Sequence, residues 1–352
     1  MKRLPILILL VFAGCGESEE TGQETEDVFV QLRDAIYITE DEGELLNNLK
    51  LITDEQAEII LGLYKTKFVT GPALDPIGLP LNGLSSITNH QAEILGKVRY
   101  HPPKDIYFCT LYLNGLTSIN EEQAKGLGNA EGLELNGLTS ITDQQAESLS
   151  MVRWLSLNGL TSITDQQAES LSKVEYLFLD GLTSITDQQA ESLSNHDSLE
   201  LNGLRLITDQ QAEILSKVRA LELNGLTAIT DGQAENLSKV EDLYLNGLTS
   251  ITDQQAESLS SGEGLETNIY QNNRYFIELN GLTSISNQQA ESLSKVGNLE
   301  LEGLTSITDE QAKSLTNNLG KVATRLVISD ACYDVVSKYT ESGVTKASER
   351  KY

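Results

Sequence analysis

A 22-residue block recurs along this chain, and its Asn-Gly step keeps that spacing without a slip from Asn114 to Asn246. A typical copy reads Leu-x-Leu-Asn-Gly-Leu-Thr-Ser-Ile-Thr-Asp-Gln-Gln-Ala-Glu-Ser-Leu-Ser-Lys-Val. Further copies reach upstream to Asn47 and downstream to Glu302, which makes eleven. A fixed short period indicates one small unit stacked on itself, and such an array usually binds rather than catalyses.

Each copy combines a strand pattern with a helix pattern. Residues 155–157 alternate apolar and polar, which predicts a short strand with one buried face. Thr164 and Gln167 have the spacing of a capping box, and apolar residues follow at helical spacing, which predicts a short helix. The Asn158-Gly159 pair suits positive φ, so a β-hairpin is the alternative, but the capping box argues against it.

Residues 152–165 read V-x-x-L-x-L-x-x-L-x-x-I-T-D, and this pattern resembles a leucine-rich repeat. The resemblance covers about four-fifths of the chain. It implies an α/β solenoid with short parallel strands on the concave face and short helices on the convex face. Leu160 stands where that family often has Asn or Cys, so we expect an apolar column there and no side-chain hydrogen-bond ladder.

The N-terminus is a separate region. Residues 1–14 resemble the signal peptide of a bacterial lipoprotein, with Cys15 as the lipidated residue; an ordinary secretory signal is the alternative. Residues 15–26 are predicted to be an acidic tether. We expect an N-terminal cap at 27–46, the solenoid at 47–328 and a C-terminal cap and tail at 329–352. The protein is therefore expected in the cell envelope, lipid-anchored at an outer membrane or cell surface.

The formal net charge is −27, and much of it lies in two repeated columns of Asp and Glu. Such a surface repels nucleic acid and anionic lipid headgroups, so the body is expected to bind neither. Solubility is one explanation for the columns, and a ladder for divalent cations is another. Each Asp is predicted to start a helix, where its charge already offsets the helix dipole.

Variation between copies concentrates at two strand positions that point out of the concave face. Trp154, Tyr176 and Phe178 fall on two adjacent predicted strands and form an aromatic group among carboxylates. With Tyr112 and Tyr244 they are the candidate partner-binding residues of the concave face, because exposed aromatic side chains are good anchors. Drift at weakly packed positions is the alternative.

Three insertions, near 62–78, 96–108 and 261–275, fall on one rim of the predicted solenoid. Aromatic and basic residues on loops of a rigid scaffold often serve recognition. The alternative is that these aromatic residues fold back as lids over the repeat edges. The candidate rim residues are Tyr100, Lys104, Tyr107, Tyr270 and Tyr275.

Catalysis has little support in this sequence. The three histidines lie in separate units without metal-ligand spacing, and none completes a nucleophilic triad. We therefore predict no enzyme activity, no metal and no cofactor. Cys109 and Cys332 are too far apart to pair, at about nine strand steps of ~4.8 Å.

The predicted function is a membrane-anchored scaffold that binds a protein or another macromolecule. An envelope spacer without a specific ligand is the alternative. The sequence does not indicate an oligomeric state.

Overall fold

The computed structural model describes residue 44 and residues 46–66, 78–98, 109–261, 275–319, 325–340 and 342–349. Within these ranges the chain forms one sheet of twelve parallel strands, which lie side by side in sequence order. Consecutive copies therefore stack directly on one another, and the predicted leucine-rich-repeat solenoid is confirmed. The strands are β1 (Gly78–Pro80), β2 (Thr110–Tyr112), β3 (Gly132–Glu134), β4 (Trp154–Ser156), β5 (Tyr176–Phe178), β6 (Ser198–Glu200), β7 (Ala220–Glu222), β8 (Asp242–Tyr244), β9 (Phe276–Glu278), β10 (Asn298–Leu301), β11 (Arg325–Ile328) and β12 (Val344–Lys346).

A helix follows each of the strands β1 to β11, and α1 precedes them all. Most are seven residues long, and each packs against the helices of the neighbouring copies. The helices are α1 (Asp54–Thr66), α2 (Asn89–Leu95), α3 (Glu121–Leu127), α4 (Asp143–Leu149), α5 (Asp165–Leu171), α6 (Asp187–Leu193), α7 (Asp209–Leu215), α8 (Asp231–Leu237), α9 (Asp253–Leu259), α10 (Asn287–Leu293), α11 (Asp309–Thr316) and α12 (Asp330–Val336).

The core is a continuous spine of leucines between the sheet and the helices. In the copy that contains β4, Leu155, Leu157, Leu160 and Leu171 are fully buried. The equivalent residues of the neighbouring copies pack against them in one cluster. No single copy encloses its own apolar side chains, so the spine exists only because the copies stack.

The capping box closes the start of each helix from α2 to α11. In α5, the Thr164 hydroxyl accepts from the Gln167 N–H at 3.0 Å, and the Thr164 N–H donates to Gln167 Oε1 at 2.9 Å. Asn120 and Ser286 serve as caps where Thr is absent, as predicted. The Gln side chain also reaches the copy before it, because Gln167 Nε2 donates to the Ile141 carbonyl at 2.8 Å.

The repeated Asp at the helix start bonds to the next copy at several junctions. Asp143 Oδ1 accepts from the Thr164 hydroxyl at 2.9 Å, so the same hydroxyl that caps one helix is held by the helix before it. The predicted position of Asp at the helix start is confirmed. Its charge is thus used for helix stability and for stacking. The same bond joins Asp165 to Thr186, Asp209 to Thr230, Asp231 to Thr252 and Asp253 to Ser286.

A side-chain hydrogen-bond ladder runs the length of the solenoid, two positions before Leu160. The Leu160 column itself is apolar and fully buried, as predicted. However, the Asn158 N–H donates to Asn136 Oδ1 at 2.8 Å, and the same bond recurs in every copy. At the Leu160 position the expectation of an apolar column without a ladder is confirmed; the ladder formed by the Asn of the Asn-Gly step is an additional feature that the sequence analysis did not predict. The side chains of this Asn ladder are Asn47, Asn82, Asn114, Asn136, Asn158, Asp180, Asn202, Asn224, Asn246 and Asn280.

The glycine after each Asn is required by close packing rather than by its backbone angle. A Cβ on Gly159 would lie 2.3 Å from the Asn136 carbonyl oxygen and 2.4 Å from that of Leu138. The pair suits positive φ, but its glycine does not use it: among the described glycines only Gly343 has a positive φ, at 85°. Glycine is present because the turns of consecutive copies touch.

The C-terminal part of the described chain continues the stack. Strand β12 pairs with β11 in parallel register, and α12 packs on α11. Cys332 lies buried in α12 and Cys109 is buried just before β2; both are free thiols, so the prediction that they do not pair is confirmed. The predicted signal peptide, tether and nearly all of the N-terminal cap lie outside the described residues.

His196 occupies a core position that Val174 and Val218 fill in the adjacent copies. It is 4 % exposed. Burial lowers the pKa of its imidazole to about 4, with a backbone contact at Val174 acting in the opposite direction. The side chain is therefore a neutral core residue at pH 7, not a site for chemistry.

We expect the Asn ladder to contribute measurably to stability. Asn136→Ala removes the acceptor for the Asn158 N–H and for the Ser156 hydroxyl, which donates to it at 2.7 Å. Leaving such groups without a partner costs about 1–3 kcal/mol. Urea unfolding should show this loss.

The matched control is Asn136→Asp, which keeps the acceptor oxygen; Asp180 already fills the same position in the ladder. It should retain most of the lost stability. Equal destabilisation by the two variants would contradict a role for the acceptor.

Candidate binding face

We define the concave face by the first and third residues of strands β1 to β11. Their side chains form two columns that run across the sheet. The second residue of each strand is buried in the core on the other side of the sheet, so the first and third residues point away from the core. Most of the outer side chains are half-buried because neighbouring strands bring them close together. The composition of these columns therefore sets what the concave face can bind.

The first aromatic pair lies on β4 and β5. Strand register places Trp154 beside Tyr176 and Ser156 beside Phe178. The Trp154 and Phe178 rings touch diagonally across the two strands, with centroids 4.6 Å apart and planes at 46°. All three aromatic side chains are half-buried. The structure thus brings Trp154, Tyr176 and Phe178 together as predicted; that they bind a partner stays a prediction.

A second aromatic pair lies on β8 and β9. The Tyr244 and Phe276 rings are 5.1 Å apart at 54°, again as a diagonal contact between adjacent strands. Tyr244 is among the predicted residues, but Phe276 is not. The insertion between the two copies separates these residues by more than one period in sequence. Counting by repeat unit rather than by residue number would have paired them.

Carboxylates on the concave face are positioned by the Asn ladder. The ladder side chains use Oδ1 for the backbone of the next copy, which leaves Nδ2 free to donate outwards. Asn114 Nδ2 donates to Glu134 at 2.8 Å, Asn202 Nδ2 to Glu222 at 3.2 Å and Asn246 Nδ2 to Glu278 at 2.8 Å. In each case the donor belongs to the copy before the glutamate.

Glu200 receives no such bond, because the copy before it carries Asp180 in place of Asn. Asp180 has no amide to donate, and the described residues supply no hydrogen bond to the Glu200 carboxyl group. Burial, followed by repulsion from Glu222 and Asp180, raises the pKa of Glu200 to about 8. One change in the ladder thus leaves a carboxyl group without a donor between the two aromatic pairs.

The remaining predicted residues are placed elsewhere. Tyr112 lies on β2 with its ring over Gly78, where a side chain would clash, so it is apart from the Trp154 group. Tyr275 is only 4 % exposed, and its hydroxyl donates to the Leu259 carbonyl at 2.7 Å. The prediction that Tyr275 is available on the rim is therefore wrong, since it packs against the helix end as a lid. Tyr100, Lys104, Tyr107 and Tyr270 lie outside the described residues.

A cleft of about 290 Å³ lies on the convex side between α4 and α5. Its lining is charged and polar: Asp143, Gln144, Glu147, Gln166, Glu169, Ser170 and Lys173. Across the described ranges, His, Cys, Asp and Glu side chains form no group of three suited to a metal ion. The cleft also lacks aromatic side chains, so we place the candidate site on the concave face.

No described helix is both long and apolar enough to cross a membrane.

Comparison with known proteins yields similar folds only. No protein-family profile and no functionally curated protein matches the chain. The internalin inlF from Listeria monocytogenes is 16 % identical with a TM-score of 0.44, over 93 % of this chain and 95 % of that one. The leucine-rich repeat-containing protein LegL7 from Legionella pneumophila is 14 % identical with a TM-score of 0.46, over 79 % and 93 %. A chain of the Rad7 and Elc1 complex from yeast is 14 % identical with a TM-score of 0.44, over 94 % and 93 %. At these values the function has to be argued from the residues of this chain.

We expect Glu200 to make stability depend on pH. Its pKa is raised from 4.5 to about 8, so the folded state holds an extra proton and its contribution is lost as pH rises from 4.5 through 8. Glu200→Gln should reduce the stability lost between pH 5 and pH 9 by about 1–2 kcal/mol, allowing for partial solvent screening. Asp180→Asn should act in the same direction, because it restores the amide donor.

The measurement is chemical unfolding at the two pH values. Glu169→Gln, which changes an exposed carboxylate on α5, is the control and should follow the unmodified protein. A Glu200→Gln curve that runs parallel to that of the unmodified protein would show that this carboxyl group titrates normally.

Proposed function

We propose that this chain is a non-enzymatic binding scaffold whose concave face holds a macromolecular partner, with protein as the favoured class. The observation that carries the proposal is the pair of aromatic contacts on that face, Trp154 with Phe178 and Tyr244 with Phe276. Aromatic side chains bury large areas at little entropic cost and are frequent anchors of interfaces. The rings sit on strands rather than on loops, so their positions are set before a partner arrives.

The scaffold supports this role because three kinds of hydrogen bond join each copy to its neighbour. They are the backbone bonds between paired strands, the bonds of the Asn ladder, and the bonds from Gln side chains to a carbonyl of the copy before. A surface held in this way loses little conformational freedom on binding, which favours affinity. The sheet thus presents a rigid array of side chains rather than an adaptable one.

Features that would favour catalysis are absent from the described concave face. Of the histidines in the described ranges, His90 lies on α2 and His196 lies in the core. The outer positions of β4 to β9 contain the serines Ser156 and Ser198 but no histidine, and the Ser156 hydroxyl already donates to Asn136 Oδ1 at 2.7 Å. A binding role needs none of these groups.

We also propose that the protein is a lipoprotein held at the cell envelope through Cys15, with residues 15–26 as the tether. The support is the basic start, the short apolar stretch and the cysteine that follows them. A lipid anchor of this kind holds a soluble body close to a membrane without inserting it.

Substitution of Cys15 tests the anchor. Cys15→Ser should move the protein from the membrane fraction to the soluble fraction and should abolish incorporation of a labelled fatty acid. Cys109→Ser, at a buried cysteine of the body, is the control and should change neither. Fatty-acid labelling that persists in Cys15→Ser would contradict the proposal.

Alanine substitutions test the concave face. We expect Trp154→Ala and Tyr176→Ala each to weaken capture of the partner from envelope extract about tenfold or more, as loss of an interface anchor does. Their circular dichroism should not change, because both side chains lie outside the core. Met151→Ala removes a 78 % exposed apolar side chain away from the strands and should have no effect.

Deletion of whole copies separates a binding scaffold from a spacer. Removing residues 152–173 deletes the copy that contains Trp154, and removing residues 130–151 deletes its neighbour; each deletion keeps the 22-residue period. A binding face should lose capture mainly with the first deletion. If both deletions retain capture, or alter it equally, the chain acts as a spacer or binds elsewhere.

A further inference from the structure

We propose that the concave face between β4 and β9 binds an extended, cationic polypeptide segment, with aromatic or apolar side chains at its two ends and arginine or lysine between them. This proposal rests on the proposed binding function and specifies the partner's chemistry. The observation behind it is an alternation along the sheet: an aromatic pair, then carboxyl groups, then a second aromatic pair.

The spacing of the two aromatic pairs suits a short peptide. The first pair spans β4 and β5 and the second spans β8 and β9, so their centres are four strand steps apart in the sheet order. At about 4.8 Å per step this distance is about 19 Å. An extended chain covers about 3.3 Å per residue, so about six residues would connect the two pairs.

The ionisable side chains between the pairs are all acidic. The outer positions of β6 and β7 are Ser198, Glu200, Ala220 and Glu222, and no outer position from β4 to β9 is Lys or Arg. Arg219, which precedes β7, is already bound by Asp197 and Asp242. The middle of the concave face therefore complements a cation and repels an anion.

Glu200 and Glu222 differ in the number of hydrogen bonds that the protein donates to their carboxyl groups. Glu222 accepts from Asn202 and Asn224, both at 3.2 Å. Glu200 faces Asp180 where the other copies supply an amide, so its hydrogen-bonding capacity is directed to whatever lies on the concave face. A guanidinium or ammonium group in that place would supply the missing donor. It would also offset the repulsion that raises the pKa of Glu200.

The acidic columns of the convex side do not share this arrangement. The Asp there bond to Thr hydroxyls of the next copy, and the cleft between α4 and α5 has no aromatic lining. Arginine stacks on aromatic rings as well as pairing with carboxylates, so it uses both features of the concave face. Charge alone would distribute a cationic ligand over the whole acidic surface, whereas rings and carboxylates together select this region.

The experiment uses the full chain and a synthetic ten-residue peptide with two tryptophans six positions apart and three arginines between them. A second peptide carries glutamine in place of the arginines. We expect the arginine peptide to bind at least tenfold more tightly by isothermal titration calorimetry at pH 8. Its affinity should fall when sodium chloride is raised, because partly exposed charge pairs are screened.

Two double variants, each of which replaces two glutamates with glutamine, locate the site. Glu200→Gln with Glu222→Gln should weaken binding of the arginine peptide about tenfold. Glu235→Gln with Glu257→Gln removes two exposed carboxylates from α8 and α9 and should change it less than twofold. Glutamine keeps the shape of each side chain, and unchanged circular dichroism checks the fold.

Several outcomes would overturn the proposal. Equal binding of the two peptides, or no binding of either, would show that cations are not selected. Equal loss in both double variants would indicate diffuse attraction to an acidic protein. Binding of cellohexaose, with retention in the Glu200 and Glu222 variant, would indicate a carbohydrate ligand. If Trp154→Ala abolishes capture from envelope extract while this variant captures normally, the binding function stands and the cationic partner does not.

Discussion

Hydrogen bonding between consecutive copies holds this solenoid together, because a three-residue strand and a seven-residue helix are each too short to persist alone. Three kinds of polar contact recur along the stack. An Asn oxygen accepts a backbone N–H of the next copy, a Gln amide donates to a carbonyl of the copy before, and an Asp at a helix start holds the next cap. The buried leucines add stability, but these contacts fix the register in which the leucines meet.

The same contacts set the electrostatics of the concave face. Because the Asn oxygen is turned towards the backbone, its amide points outwards and donates to a glutamate of the following strand. A ladder built for stacking therefore also satisfies a row of carboxylates. Where Asp180 interrupts the ladder, the acceptor for the next backbone N–H is retained but the amide donor is lost, and the neighbouring Glu200 receives no hydrogen bond from the ladder. One substitution changes the surface without disturbing the stack.

The difference between core positions and outer strand positions explains why a nearly uniform repeat can carry a specific surface. The core positions must be the same in each copy because each copy is packed between two others, and a volume change would be felt on both sides. The outer strand positions face solvent and are free of that requirement. The aromatic pairs and the carboxylates occur there, on a backbone that the ladders keep rigid, which is the arrangement that favours recognition over chemistry.

Much of the fold could be predicted from the sequence, because the rules involved are local. The 22-residue period, the capping box of Thr164 and Gln167 and the alternation at Leu155 and Leu157 depend on neighbouring residues, and the structure has all of them. The aromatic group on β4 and β5 followed from the same period. The Asn ladder did not, since an acceptor for the next copy is visible only once the copies are stacked.

The sequence by itself determined the unit, its strand and helix and the side of the sheet on which the variable residues lie. Tertiary structure decided which of those residues meet. Phe276 contacts Tyr244 across an insertion, Tyr275 turns inwards to the Leu259 carbonyl, and Glu200 lacks the amide donor that Glu134, Glu222 and Glu278 have. These outcomes depend on how side chains of different copies meet in space, and spacing along the sequence does not specify such contacts until the copies are packed.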